Sequence, residues 1–332
     1  MSVSVVAFFN NKGGVGKTSL VYHLSWMYAD LGLKVLAADL DPQANLTAAF
    51  YGQEQLEELW NAGDRTIAAS VGPLMQGTGD ISEVRPALVT DILGLLPGAL
   101  SLSAFEEELS DVWPRCLGGN PRAFRVMSAF WRIMQQAARQ LNAAVILMDL
   151  GPNLGAINRA ALIAADYVVV PLSPDLFSLE GLHSLGPTLL RWRQEWKERL
   201  RKNPEADLPL PDGRMEPAGY VVQQHSVRLD RPVKAYEQWI ARIPQVYSED
   251  VLKTKASPGL KLEDDPHCLA LLKHYRSLIP MAKEARKPVF HLKAADGAIG
   301  AHLAAVQEAY KDFKHLAHKV AGRIALPLPA VA

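Results

Sequence analysis

Asn10-Asn11-Lys12-Gly13-Gly14-Val15-Gly16-Lys17-Thr18-Ser19 decides how this chain reads. It follows an apolar run over residues 3–9 that reads as a buried strand. It precedes Leu20, Val21, Leu24, Met27 and Leu31, which recur at helical spacing. The order is therefore strand, glycine-rich turn, helix, the setting in which such a turn can cradle phosphate. Gly13, Gly14 and Gly16 let the backbone turn tightly and bring bare N–H groups against anionic oxygens. The helix that opens near Lys17 points its positive end at the same anion. Lys17 supplies a point charge for the β- and γ-phosphates, and the Thr18 hydroxyl is placed to ligate Mg²⁺. Gly13, Gly14, Val15, Gly16, Lys17, Thr18 and Ser19 are thus candidate ATP-binding residues, with ATP and Mg²⁺ as cofactors. The strand and helix on either side argue against a chance glycine turn.

Against the pattern G-x-x-x-x-G-K-[ST], Asn11 stands where the first glycine would, and Lys12 comes directly before the glycines. Lys12-Gly13-Gly14-Val15-Gly16-Lys17-Thr18 resembles the deviant Walker A motif of the ParA/MinD ATPases, nearest the ParA/Soj partition type. The resemblance implies that Lys12 acts in trans, touching the nucleotide of a second copy in a nucleotide-sandwiched homodimer. Asp39-Leu40-Asp41-Pro42-Gln43 ends an apolar run over residues 34–39 and resembles the family's switch I. By that resemblance Asp41 orients the attacking water, while Asp39 supports Mg²⁺ and its waters. Lys12, Lys17 and Asp41 are the candidate catalytic residues.

The clearest buried strand, residues 144–149, ends in Asp149, which reads as a Walker B carboxylate holding the Mg²⁺ shell with Thr18 and Asp39. Asp149, Pro152 and Gly155 match the family's Asp-x-x-Pro-x-x-Gly, a switch II that responds to the γ-phosphate. Asn158 and Asp166 also fall at familiar positions, where helix surface and capping explain them equally well. Residues 279–289 resemble the family's loop that approaches the adenine and then a late strand, which adds Pro280 and Met281 to the ATP-binding set.

The fold expected is α/β: a single P-loop NTPase domain with a mostly parallel twisted sheet and helices on both faces. The resemblance covers the motifs to about residue 182 well and the remainder loosely. One unit is expected over residues 1–332, with core motifs in 1–182, a basic and helical part in 183–325, and a short tail in 326–332. Between these motifs, residues 49–142 look less orderly. Residues 92–96 read as a short strand, 113–122 as a loop and 124–141 as one helix. Further on, strands are expected over 167–172 and 218–223. A helix should run from Asp175 toward Lys202, another over 236–243 with Pro244 as its stop, and a last one over 301–323.

With 332 residues, 49% of them hydrophobic, and a net charge of zero, the chain can bury a sizeable core. Cys116 and Cys268 lack metal-ligand spacing and read as reduced structural thiols of a cytosolic protein. The first strand begins at once, so no leader is expected. No apolar run approaches the roughly 20 residues that span a bilayer. The zero net charge hides an asymmetry. Eleven acids lie between Gln53 and Asp111 against Arg65 and Arg85, whereas Lys273, Arg276, Lys283, Arg286, Lys287 and Lys293 face one acid, Glu284. Similar proteins bind DNA with late basic residues, so Lys273, Arg276, Lys283, Arg286 and Lys287 are candidate DNA contacts. The i, i+4, i+8 line of Arg193, Lys197 and Arg201 reads as a solvated helix face.

The leading functional expectation is a dimerising ATPase with weak, partner-stimulated hydrolysis. It would hold nonspecific DNA in the ATP state and position a plasmid, a chromosome region or other cargo, in the cytoplasm on the nucleoid. A ParB-like or cargo adaptor protein would trigger release. A MinD-like membrane cycle is the main rival, and it would need residues 309–324 as a lipid-facing amphipathic helix. A ligase or an iron–sulfur reductase on the same scaffold is a third class. The cysteines disfavour the reductase.

Overall fold

A computed structural model describes residues 2–224, 233–257, 259–275 and 277–329. The chain runs β1 (Val5–Phe8), α1 (Lys17–Asp30), β2 (Val35–Asp39), α2 (Asn45–Phe50), α3 (Gln53–Ala62), α4 (Ile67–Gln76), β3 (Ala87–Leu88) and β4 (Leu93–Leu96). It continues through α5 (Phe105–Arg115), α6 (Pro121–Met127), α7 (Ala129–Leu141), β5 (Val145–Asp149), α8 (Ala156–Ile163), β6 (Tyr167–Leu172) and α9 (Leu176–Leu200). It closes with β7 (Glu216–Gln224), α10 (Val233–Val246), β8 (Cys268–Lys273), α11 (Leu278–Ala285) and α12 (Ala301–Arg323). The strands form one eight-stranded sheet in the order β3-β4-β2-β5-β1-β6-β7-β8. Every neighbouring pair is parallel except β3–β4.

Unbroken apolar runs form these strands because both faces of the sheet are covered. Side chains alternate across a strand. Val5, Ala7 and Phe9 therefore enter a core shared with α4 to α10, while Val6 and Phe8 enter one built with α1, α11 and α12. The register brings chemistry to one edge. Phe8 and Asp39 both pair with Asp149, so the phosphate-loop strand and the two carboxylate-ending strands finish side by side.

Several expectations are corrected. Residues 124–141 fall in two helices that meet at Ser128, which caps both (φ −92°, ψ −1°) and whose hydroxyl receives the Arg132 Nε–H at 3.1 Å. The expected loop at 113–122 begins inside α5, which tolerates Pro114 in its last turn and passes into a 3₁₀ turn, Cys116–Gly118, that stops at left-handed Gly119. Pro244 does not stop α10, which continues to Val246 and into a π-helical turn, Tyr247–Val251. The expected adenine loop is helix α11 followed by a 3₁₀ turn, Val289–His291, and the late strand is β8 instead. The basic line on α9 is broken as well. The Arg193 guanidinium is half-buried and donates to the Met215 carbonyl (2.7 Å), while Lys197 and Arg201 are exposed.

One close approach locks α9 to the turn after α10. A Cβ on Gly186 would lie 1.8 Å from the Asp250 carbonyl oxygen, a backbone atom that cannot move alone. Gly186→Ala is therefore expected to destabilise the protein by about 1–3 kcal/mol, the usual cost of overpacking. Urea titration checks this as a lower midpoint at unchanged slope.

Candidate nucleotide site

The turn between β1 and α1 uses left-handed backbone at Gly14 (φ 73°) and Gly16 (φ 76°). Gly16 has a second reason to lack a side chain. A Cβ there would fall 2.1 Å from Gln223 Nε2, which donates to the Gly16 carbonyl at 3.3 Å. Gly16 is also the N-cap of α1, and no side chain caps that helix, so its first amides remain for an anion. Lys17 folds back across the loop and donates to the carbonyls of Asn10 (3.1 Å) and Lys12 (3.0 Å). Burial pulls its pKa down, and the charges of Asp149 and Asp41 push it back up.

Asp39 and Asp149 are fully buried. Asp39 Oδ2 accepts from the Thr47 amide (2.7 Å) and hydroxyl (2.6 Å). Asp39 Oδ1 and both oxygens of Asp149 lack a hydrogen-bond partner among the described residues. Burial raises both acids, opposed at Asp39 by Thr47 and reinforced by Asp41, and Asp39 reaches about 7. At Asp149 the charge of Asp39 adds to burial, while the Thr18 hydroxyl and Lys17 pull the other way. Buried carboxylate oxygens left without donors call for a cation. Two such acids with a threonine hydroxyl are the hard oxygen donors that Mg²⁺ prefers. Thr18, Asp39 and Asp149 therefore fit that ion, which, when bound with nucleotide, neutralises phosphate charge. Asp41 sits beside them. Its Oδ1 accepts from the Gln43 amide (3.0 Å), and Gly151 backs it so closely that a Cβ there would lie 3.3 Å away.

A cavity of about 770 Å³ opens over the loop, lined by Gly13, Gly14, Gly16, Lys17, Thr18, Ser19 and Asp41. Val15 is buried beneath it. The far wall comes from α11 and the turn after it, through Ile279, Ala282, Lys283, Arg286 and Lys287. Pro280 and Met281 lie on α11 but are not among the lining residues, because the helix turns its 279/282/283/286 face to the cavity. The candidate DNA residues do not gather on one outward face. Lys283, Arg286 and Lys287 line this cavity, and Lys287 also pairs with Asp296 (2.7 Å). Lys273 is exposed at the end of β8, within 3.4 Å of Glu308. Arg276 lies outside the described residues.

Lys12 is not a lining residue of the cavity. Its ammonium is paired with Asp175, which also caps α9 by accepting from the Ser178 amide (2.9 Å). Switch II is braced from two sides. Glu106 accepts from the Ala156 and Ile157 amides, the latter at 2.8 Å, at the start of α8. Asn158 ties the carbonyls of Gly151 (2.9 Å) and Asn153 (2.7 Å), and Asp166 accepts from the Val5 amide (2.9 Å), so both act in structure. Sequence reading missed Gln223, Thr47, Asp175 and Glu106. Only Asp175 carried a local signal, as an aspartate opening a helix.

Comparison with known proteins agrees with this geometry. A family model described as an AAA domain matches residues 3–202. The sporulation initiation inhibitor protein Soj of Bacillus subtilis is 29% identical over 262 residues, 79% of this chain and 87% of its own. The chromosome partitioning protein ParA of Caulobacter vibrioides is 33% identical over 199 residues, 59% of this chain and 66% of its own. The crystal structure of protein DIP2308 from Corynebacterium diphtheriae superposes with a TM-score of 0.68 at 24% identity, covering 97% of this chain and 98% of that one. The chain belongs to the ParA/MinD family of P-loop ATPases.

Lys17→Ala removes the one ammonium held across the loop and is expected to abolish ATP binding, read by equilibrium titration with a fluorescent nucleotide. The buried acids set a pH dependence. Asp39 titrates near 7 when folded and about 3.9 when unfolded. The folded state therefore binds the extra proton, and stability falls as pH rises from about 4 to about 7, at up to roughly 1.4 kcal/mol per unit. Thermal melts in EDTA should show this fall, and Asp39→Asn should lessen it, Asp149 keeping its own share.

Proposed function

We propose that this protein is a positioning ATPase of the partition type, in which ATP closes two copies around two nucleotides. The observation that supports the reading best is the placement of Lys12. It stands beside the phosphate loop, yet its ammonium lies off its own cavity on Asp175, with the side chain a quarter exposed. Asp41, backed by Gly151 of switch II, orients the water that attacks the γ-phosphate. Thr18, Asp39 and Asp149 hold the Mg²⁺ shell. The closed pair holds duplex DNA through phosphate contacts without reading bases. Lys283 and Arg286 are exposed but line the cavity, so Lys273, Lys197 and Arg201, exposed and outside its lining, join them as candidates for that contact. A ParB-like or cargo adaptor protein accelerates the slow hydrolysis and releases the pair. The name of the Caulobacter vibrioides relative, a chromosome partitioning protein, supports the partition part of this reading, and a cytoplasmic, nucleoid-associated setting goes with it as part of the proposal.

The membrane-cycling alternative loses its main feature. The apolar side of α12, through Val306, Phe313, Leu316 and Val320, is buried against the core, and Tyr28 donates to the Ala317 carbonyl at 3.0 Å. Among the described residues no helix is long and apolar enough to cross a membrane. The reductase is not favoured either. Burial raises the Cys116 and Cys268 thiols to about 12, far from the thiolate a cluster needs.

Asp41→Ala is expected to bind ATP and elute at twice the monomer mass with ATP but not ADP, with hydrolysis lost. Adding Lys12→Ala should return it to the monomer position. An elution volume that ignores nucleotide removes the dimer. In gel shifts with nonspecific duplex at low salt, retardation should require ATP, and equal or absent binding with ATP and ADP removes the DNA role.

A further inference from the structure

Thr47 has no task in the function as read so far. It is fully buried in α2, and both of its donors end on one atom, Asp39 Oδ2, the amide at 2.7 Å and the hydroxyl at 2.6 Å. The same hydroxyl oxygen accepts from the Gly98 amide at 2.8 Å. A threonine hydroxyl carries one proton and two lone pairs. With Gly98 donating into it, the rotor is held so that its proton goes to the carboxylate. Gly98 can come this near only because it has no side chain, since a Cβ there would sit 2.9 Å from both Asp39 Cγ and the Asp39 carbonyl oxygen. Asp39 Oδ2 is thus saturated by two donors from one residue. The carboxylate can offer a cation only Oδ1, the oxygen left buried without a partner among the described residues.

We infer that Thr47, held by Gly98, is the positioning residue that presents Asp39 to the magnesium ion. It fixes the plane of the carboxylate and leaves one oxygen for the ion and its waters. Residues that hold a ligand from behind are usually worth 10- to 100-fold in metal affinity. A threonine buried only for packing would be replaceable by valine, which has the same shape. One that orients through its hydroxyl would be replaceable by serine. The inference rests on the reading that the site binds Mg²⁺ together with nucleotide.

The test uses the full chain with ADP and Mn²⁺ as the probe, the bound ion being counted by electron paramagnetic resonance. Wild type should bind Mn²⁺. Thr47→Val should bind it about tenfold or more weakly, while Thr47→Ser stays within about twofold of wild type. Nucleotide binding in EDTA, where no metal is present, should change much less than Mn²⁺ binding in Thr47→Val. If Thr47→Val fails to fold by circular dichroism, Thr47→Ala is measured in its place. Wild-type Mn²⁺ affinity in Thr47→Val, or equal loss in the serine and valine forms, overturns the positioning role alone. If wild type binds no Mn²⁺ with ADP, the magnesium reading falls and this inference with it.

Discussion

Two buried carboxylates, Asp39 and Asp149, end neighbouring parallel strands in register, and three of their four oxygens make no well-formed hydrogen bond among the described residues, the Thr18 hydroxyl standing near Asp149. Such an arrangement is costly in a folded chain unless a positive charge answers it. Lys17 answers part of it from the adjoining loop. The sheet order places the strand ends that build this site side by side. β5 sits between β1 and β2, so the strand that launches the phosphate loop and the strand that opens switch I both border the one that ends in Asp149. The rest of the architecture, helices on both faces and an apolar sheet between them, holds these three strand ends fixed relative to one another.

The site was legible in sequence wherever its parts are contiguous. Glycines, lysine and threonine in one loop, an aspartate at the end of an apolar run, and the spacing from Asp149 to Gly155 are all local patterns, and the structure brings them to one edge. Features that depend on chain segments far apart were not legible. Thr47 meets Gly98 across 51 positions, Gln223 meets Gly16 across 207, and Glu106 reaches the start of α8 across 50. Nothing in the periodicity of either partner announces such a contact. Prolines misled in a consistent way. Pro114 and Pro244 fall in the last turns of α5 and α10, and the helices run past them. The basic cluster is a different case. Charge counted along the chain says nothing of direction, and Lys283 and Arg286, though exposed, also line the cavity.

The far wall of the cavity makes the site partly a product of the last third of the chain. Arg286 holds left-handed backbone (φ 51°) at the end of α11, and its guanidinium packs on Gly52, where a Cβ would come within 2.3 Å of Nη1. Gly52 opens α3, directly after the helix that carries Thr47. The segment that follows the switch I aspartates is thus clamped between the cation site on one side and α11 on the other.

The pairing of Lys12 with Asp175 carries a last consequence. An anion that recruits this ammonium competes with a carboxylate already seated on it. The free energy of recruitment is then the difference between two attractions of like kind, smaller than either. Because dissolved salt weakens the old bond and the new one together, their shares of the ionic-strength response oppose each other. An exchange of this sort responds steeply to the valence and reach of the incoming group, and only weakly to the surrounding electrolyte.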